Sequence, residues 1–227
     1  MKKLYSVVIG AILSLSVPGI ASAQFTVTDA IGGVPSVGAA TLLNFDGALP
    51  SVLTLSGSAY LVTGGRGYPA YYSAPYFSGS TAAYFGESPA NGFDASQYVA
   101  VESGGSATFT FSTPQVYFGL FWGSFDPGAN VISFYDSADN LIGQVTPAQV
   151  TGVTYADNTD ANGSAYVNIV SSVPFSSVTM TTSGAPGAES FEFDDVAYAA
   201  VAPEPSSFAL LGTGLSVLGL VWRRRTA

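Results

Sequence analysis

Ala107-Thr108-Phe109-Thr110-Phe111 and Val116-Tyr117-Phe118-Gly119-Leu120-Phe121-Trp122 decide the fold class of this chain. In the first run phenylalanines alternate with threonines, the two-residue period of a half-buried strand. In the second, Val116, Phe118, Leu120 and Trp122 fall on one face, Tyr117 and Phe121 on the other. A strand that is apolar on both faces belongs near the centre of a sheet, covered on both sides.

Runs rich in Val, Thr, Tyr and Phe recur to either side, separated by Gly, Pro, Ser, Asn and Asp. Strands are expected at Phe25–Thr28, Thr41–Phe45, Val52–Val62, Ala82–Phe85 and Tyr98–Glu102 before the central pair. After it they are expected at Val131–Tyr135, Leu141–Val145, Ala165–Val170, Ser177–Thr182 and Phe191–Tyr198. Thr146–Val150, opening with Pro147, suits one helical turn. Asp139-Asn140 suits a hairpin turn, with Asn tolerant of positive φ. Many short strands without long helices predict an all-β fold, a jelly-roll-like β-sandwich, with an up-and-down barrel as the alternative.

Both ends of the chain differ from this middle. Lys2 and Lys3 precede an apolar run from Leu4 to Val17, broken by Pro18-Gly19. Ala21-Ser22-Ala23 then supplies the small-x-small pattern cut by signal peptidase, with Ala21 and Ala23 as the recognised residues. At the other end Pro203-Glu204-Pro205 precedes an apolar run from Phe208 to Trp222 and a basic stop, Arg223-Arg224-Arg225. The run is about 22 Å long as a helix, short against a hydrocarbon core of about 30 Å. The arginines mark the cytoplasmic side. The chain therefore divides into a signal peptide helix (residues 1–23), a β-sandwich domain (24–202) and a tail with a transmembrane helix (203–227).

Charge sharpens once the ends are set aside. Arg66 is the one base between Gln24 and Ala202, against 14 acids, a net charge of −13 where the whole chain carries −9. No cluster of Lys or Arg exists to neutralise phosphates, so nucleic acid is excluded as a partner. Cysteine and histidine are absent and the middle segment has no lysine. Ser-His-Asp, Cys-His and Ser-Lys nucleophiles and His-based zinc sites are thereby closed. Two-carboxylate glycoside hydrolysis alone survives, and no pair stands out among so many acids, so the chain is read as a non-enzyme.

The tail resembles the PEP-CTERM sorting tail of Gram-negative surface proteins, which an exosortase recognises; Ala202 and Ser206 flank the motif here. Tyr117-Phe118-Gly119-Leu120, Trp122-Gly123-Ser124 with Asp126 and Asn130, and Phe134-Tyr135-Asp136 are similar to one sandwich-bearing group of such proteins. So are Tyr166-Val167-Asn168 and Phe191-Glu192-Phe193-Asp194-Asp195-Val196. The resemblance implies an exported surface or extracellular-matrix protein, held transiently in the inner membrane and processed by an exosortase. It carries no activity with it.

Two candidate ligand sites remain. Asp157, Asp160 and Asn162, closed by Gly163, copy the oxygen-donor spacing that opens a Ca²⁺ loop. The twelfth position is Ile169 where a bidentate Glu belongs, so the EF-hand reading fails and a turn or a loop-borne Ca²⁺ stays open. Tyr71, Tyr72 and Tyr76 lie in a stretch of Gly, Pro, Ser and Ala. They are candidates to stack on the sugar rings of an extracellular polysaccharide, in a lectin-like module, or to form a hydrophobic lid. In the last strand Phe191 and Phe193 take one face, Glu192 and Asp194 the other. Asp195 then falls on the phenylalanine side unless a bulge intervenes. Buried there it needs backbone amides, Arg66 or a cation.

Overall fold

The alternating segments pair into antiparallel strands throughout, as seen in a computed structural model that describes residues 25–65, 71–155, 159–185 and 187–200. The expected signal peptide with Ala21 and Ala23, the tail with Pro203–Pro205 and Arg223–Arg225, and the residues Arg66 and Asp157 lie outside the described residues. Among the described residues no helix is long and apolar enough to cross a membrane.

In order along the chain come β1 (Phe25–Ala30), β2 (Thr41–Leu43), β3 (Leu53–Ser56), β4 (Ala59–Val62) and β5 (Tyr76–Phe77). Helix α1 (Thr81–Phe85), β6 (Gly92–Phe93), β7 (Tyr98–Glu102), β8 (Ser106–Gly123) and β9 (Asn130–Tyr135) follow. The chain continues through β10 (Leu141–Val145), β11 (Ser164–Thr182) and β12 (Ser190–Ala200). In one half, Ser106–Phe109 of β8 pair with β3, and β8 is followed laterally by the end of β11, then β9 and β10. In the other, Tyr117–Gly123 of β8 lie between the start of β11 and β12. That half extends through β1 beyond β11, and through β7, β4 and β2 beyond β12.

The halves fold over one another, and their facing rings form the core. Phe109 stands 5.4 Å from Phe118 and 6.2 Å from Phe193. Phe111 meets Tyr198 at 4.8 Å, and Trp122 stacks on Phe191 at 4.4 Å. Each fully buried phenylalanine contributes about 1.5–3 kcal/mol by leaving water. The second face of β8 is covered too: Tyr117 and Phe121 pack with Phe77, Ala82, Phe85, Tyr166 and Ala197 under the segment that carries α1. Phe77 and Phe121 are parallel at 4.9 Å. The apolar character of both faces thus reflects a central strand between two packed layers.

Gly119 shows why this outer layer fits. A Cβ there would come within 2.5 Å of the Tyr117 hydroxyl and 2.8 Å of that of Tyr166. The bare backbone lets the Tyr117 hydroxyl donate to Asn168 Oδ1 at 2.6 Å. The same oxygen accepts from the Ser36 amide at 2.7 Å, tying the loop after β1 onto the sheet.

Several expectations are corrected. Ala82–Phe85 is helical, not a strand: Thr81, Ala82 and Phe85 bury one helical face, and Gly86 in the left-handed region closes it. Val52–Val62 is two strands, because Gly57 at φ +61° turns the chain between β3 and β4. Two pairs of expected strands are continuous, forming β8 and β11. Between the expected segments, around Pro114 and Pro174, the ladder shifts register and the strands pass from one half to the other. At the β9–β10 turn the left-handed residue is Asp139, at φ +59°, while the Asn140 amide donates to Asp136 Oδ1 at 2.9 Å. The Thr146–Val150 turn is a short 3-10 helix, Pro147–Gln149, closed by a capping box between Thr146 and Gln149.

Candidate functional site

Strand β12 brings the acids of this protein indoors. Phe191 and Phe193 point into the core, so Glu192 and Asp194 take the opposite face, and both are buried. The Ser73 amide donates to Glu192 Oε1 at 3.0 Å, and the Ser190 hydroxyl donates to the same atom. Oε2 has no hydrogen-bond partner. Burial pushes the Glu192 carboxyl up to about 8, so it holds its proton near neutral pH. Asp126 is raised to about 6, by burial first and then by the charge of Glu189.

Glu192 and Asp126 line a cleft of about 370 Å³ with Glu189, Ser190, Tyr71 and Tyr72. Tyr71 is 44% exposed. Tyr72 is half-buried, its ring edge-on to Tyr98 at 6.4 Å. The cleft therefore joins aromatic surface to the Asp126 carboxyl, with the Glu192 carboxyl buried in its wall. Hydroxyl-rich ligands use that combination. Tyr76 is not part of it: it sits in the β5–β6 hairpin, half-buried, with its ring 5.1 Å from Phe93. A broader depression of about 600 Å³ lies over the hydroxyl-bearing outer face of Thr108, Thr110, Ser177 and Thr179.

A second group of acids gathers where β12 breaks its ladder. Register with β8 shifts between Asp194 and Ala197, and Asp195 takes φ +51°, the bulge expected of the two consecutive aspartates. On the other edge of β12, β7 pairs as far as Phe193 and β2 only from Val196. At Asp194 and Asp195 the pairing along this edge of β12 thus has a gap. Asp46, just after β2, Glu87, just after α1, and Asp94, ahead of β7, act electrostatically on Asp195 in that gap. Burial raises the Asp195 carboxyl to about 9, with Glu87, Asp94 and Asp46 adding to it. Asp194 is likewise held well above the usual carboxylate range by burial, then by Asp195 and Asp94. The sequence singled out Asp195; nothing in it linked that residue to Asp46, Glu87 and Asp94, which are distant along the chain.

The candidate Ca²⁺ loop is occupied with turn chemistry. Asp160 caps the short 3-10 helix Ala161–Gly163, its Oδ1 accepting from the Asn162 amide at 2.7 Å. Asp160 and Asn162 are both exposed. Among the described residues no three carboxylates stand together as a finished metal-ligand set, here or elsewhere.

Comparison with solved structures finds loose likeness only. The K2 cleaved adhesin domain of Lys-gingipain superposes with a TM-score of 0.41 at 9% identity, covering 70% of this chain and 99% of that one. The CBM6-3 module from Clostridium stercorarium, solved with cellobiose, gives 0.37 at 10% identity over 70% and 93%. The CBM22-1 xylan-binding domain from Paenibacillus barcinonensis gives 0.35 at 9% identity over 71% and 95%. Superpositions this loose assign no ligand to this chain. No curated protein matches it. The tail is different: residues 201–225 match the family model of the PEP-CTERM protein-sorting motif. The C-terminal tail of this chain thus carries a PEP-CTERM protein-sorting motif.

Proposed function

We propose that the chain is an exosortase-sorted surface protein whose β-sandwich serves a structural or interaction role in the extracellular matrix. The match of residues 201–225 to the sorting motif is the observation that carries this reading. Pro203-Glu204-Pro205 is the recognition element, and the run to Trp222 holds the chain in the inner membrane until it is cut. Arg223–Arg225 retain the end inside. Signal peptidase acts after Ala23 and the sandwich works outside the cell. Replacing Glu204 or Pro205 is expected to block processing while export continues, read as the mass of the protein recovered from cells. Exported wild-type protein that still carries Arg225 refutes the reading.

A second reading has the Tyr71–Tyr72 cleft for support. In it the domain is a lectin-like, jelly-roll module that binds extracellular polysaccharide, Tyr71 stacking on a sugar and Asp126 meeting its hydroxyls. Non-sequential strand neighbours support that architecture, since β8 pairs with both β11 and β12. A glycan array with and without EDTA tests it. No binding in either condition sinks the lectin reading, and EDTA-sensitive binding brings in a Ca²⁺ ion. Hydrolysis of a bound glycan would overturn the non-catalytic role in both readings.

A further inference from the structure

We propose that Asp194 and Asp195, with Asp46, Glu87 and Asp94, form a Ca²⁺ site that pins the bulge of β12 to the loops before β7 and after β2. Much of the hydrogen-bonding capacity of these acids is unmet. Asp195 is fully buried, and neither of its carboxylate oxygens has a partner. Asp194, also fully buried, uses Oδ1 to accept from the Asp195 amide at 2.7 Å and leaves Oδ2 unpartnered. Asp94 repeats the arrangement: Oδ1 accepts from the Ser96 amide at 2.8 Å, and Oδ2 is unpartnered. Glu87 Oε1 is unpartnered as well.

Buried acceptors left without donors are costly, and carboxylates gathered together more so. The usual remedy is a basic side chain, and the described residues contain no Lys, Arg or His at all. A cation meets every one of these oxygens at once. Oxygen donors alone, drawn from loops of different length, suit Ca²⁺, which accepts six to eight oxygens in irregular geometry. Mg²⁺ demands a near-ideal octahedron and Zn²⁺ prefers nitrogen or sulfur. As placed, no three acids among the described residues stand close enough together to hold an ion, so side chains must move onto it. Asp194 and Asp195 are fixed on the strand, while Asp46 is exposed and Glu87 half-buried, on loops where their side chains can swing onto the ion. The site is separate from the Asp157–Gly163 loop and from the Tyr71–Tyr72 cleft.

The test uses the full-length chain purified in detergent, stripped with EDTA and titrated with CaCl₂ alone. Calorimetry is expected to show one ion binding per chain. At about 100 times the dissociation constant, the melting temperature is expected to rise by roughly 5–10 °C. Affinities near those of extracellular Ca²⁺ modules, about 0.1–1 mM, set the range to scan. Asp195→Asn and Asp194→Asn are expected to abolish the Ca²⁺-dependent rise. They are also expected to melt no lower than wild type in EDTA, because Asn keeps the shape and the Oδ1 acceptor of a carboxyl that burial already holds protonated. That second readout separates loss of a ligand from simple misfolding. Asp160→Asn is expected to keep the full rise. A wild-type chain whose melting ignores Ca²⁺ up to 10 mM overturns the proposal. So does a rise that survives Asp195→Asn, or one that Asp160→Asn removes.

Discussion

Replacing Glu192 by Gln should make the protein more stable at pH 8, and the size of the gain follows from where the carboxyl sits. Glu192 is 1% exposed, with Oε2 unpartnered, and burial lifts it from an ordinary 4.5 to about 8. The folded state therefore holds a proton that the unfolded chain releases. Between those two pH values the folded state binds more protons, so stability falls as pH rises through the window. It is fully present below about 4.5 and lost by about 8. At about 1.4 kcal/mol per pH unit, the loss across the window is on the order of 4–5 kcal/mol. Glutamine keeps the Oε1 acceptor for Ser73 and Ser190 and carries no charge at any pH. Asp126, Asp194 and Asp195 titrate in both proteins, so the quantity to read is the difference between them. Urea or thermal denaturation in EDTA at pH 4.5, 6, 7 and 8 supplies it. The two proteins should melt alike at pH 4.5 and diverge steadily above it. By pH 8 the variant should lead by roughly 8–20 °C, at about 2–4 °C per kcal/mol for a chain of this size. Parallel pH curves for wild type and Glu192→Gln would refute the reasoning.

Three further outcomes are open to measurement. Gly119→Ala should cost about 1–3 kcal/mol in urea denaturation, since its methyl displaces the Tyr117 hydroxyl from Asn168. Asp160→Ala should cost about 1 kcal/mol, the ordinary value of a lost N-cap, without touching Ca²⁺ binding. Tyr71→Ala should leave the melting temperature within about 1–2 °C, because the ring is 44% exposed. If the cleft binds sugar, the same change should abolish retention on the glycan array.

Much of the fold was legible because period-two patterning is a local property. Phe109 and Phe111, and the two-faced run from Val116 to Trp122, disclose a half-buried and then a central strand before any contact is known. Tyr98–Glu102 and Leu141–Val145 match the expected strands end to end. What failed depended on position in three dimensions. Pro114 and Pro174 look like strand breaks but mark bends in strands that continue. The Thr81–Phe85 turn is too short for helical periodicity to show. The Asp195 problem was visible as a charge on an apolar face. The other acids around it were not, since Asp46, Glu87 and Asp94 arrive from three separate loops. Burial of Glu192 beside the tyrosine cleft was hidden for the same reason: alternation says which face a residue takes, not what will cover it.

The strand sharing described above has a mechanical side. The sorting tail leaves the domain directly after β12, which is no edge strand: β8 lies along one side, β7 and β2 along the other. Any pull on a tail anchored at the surface therefore enters an interior strand with ladders on both flanks. Behind it β8 and β11 run through both halves, so neither sheet can be stripped away while the other stays whole. Tension applied at the C-terminal end of β12 therefore meets ladders on both of its flanks.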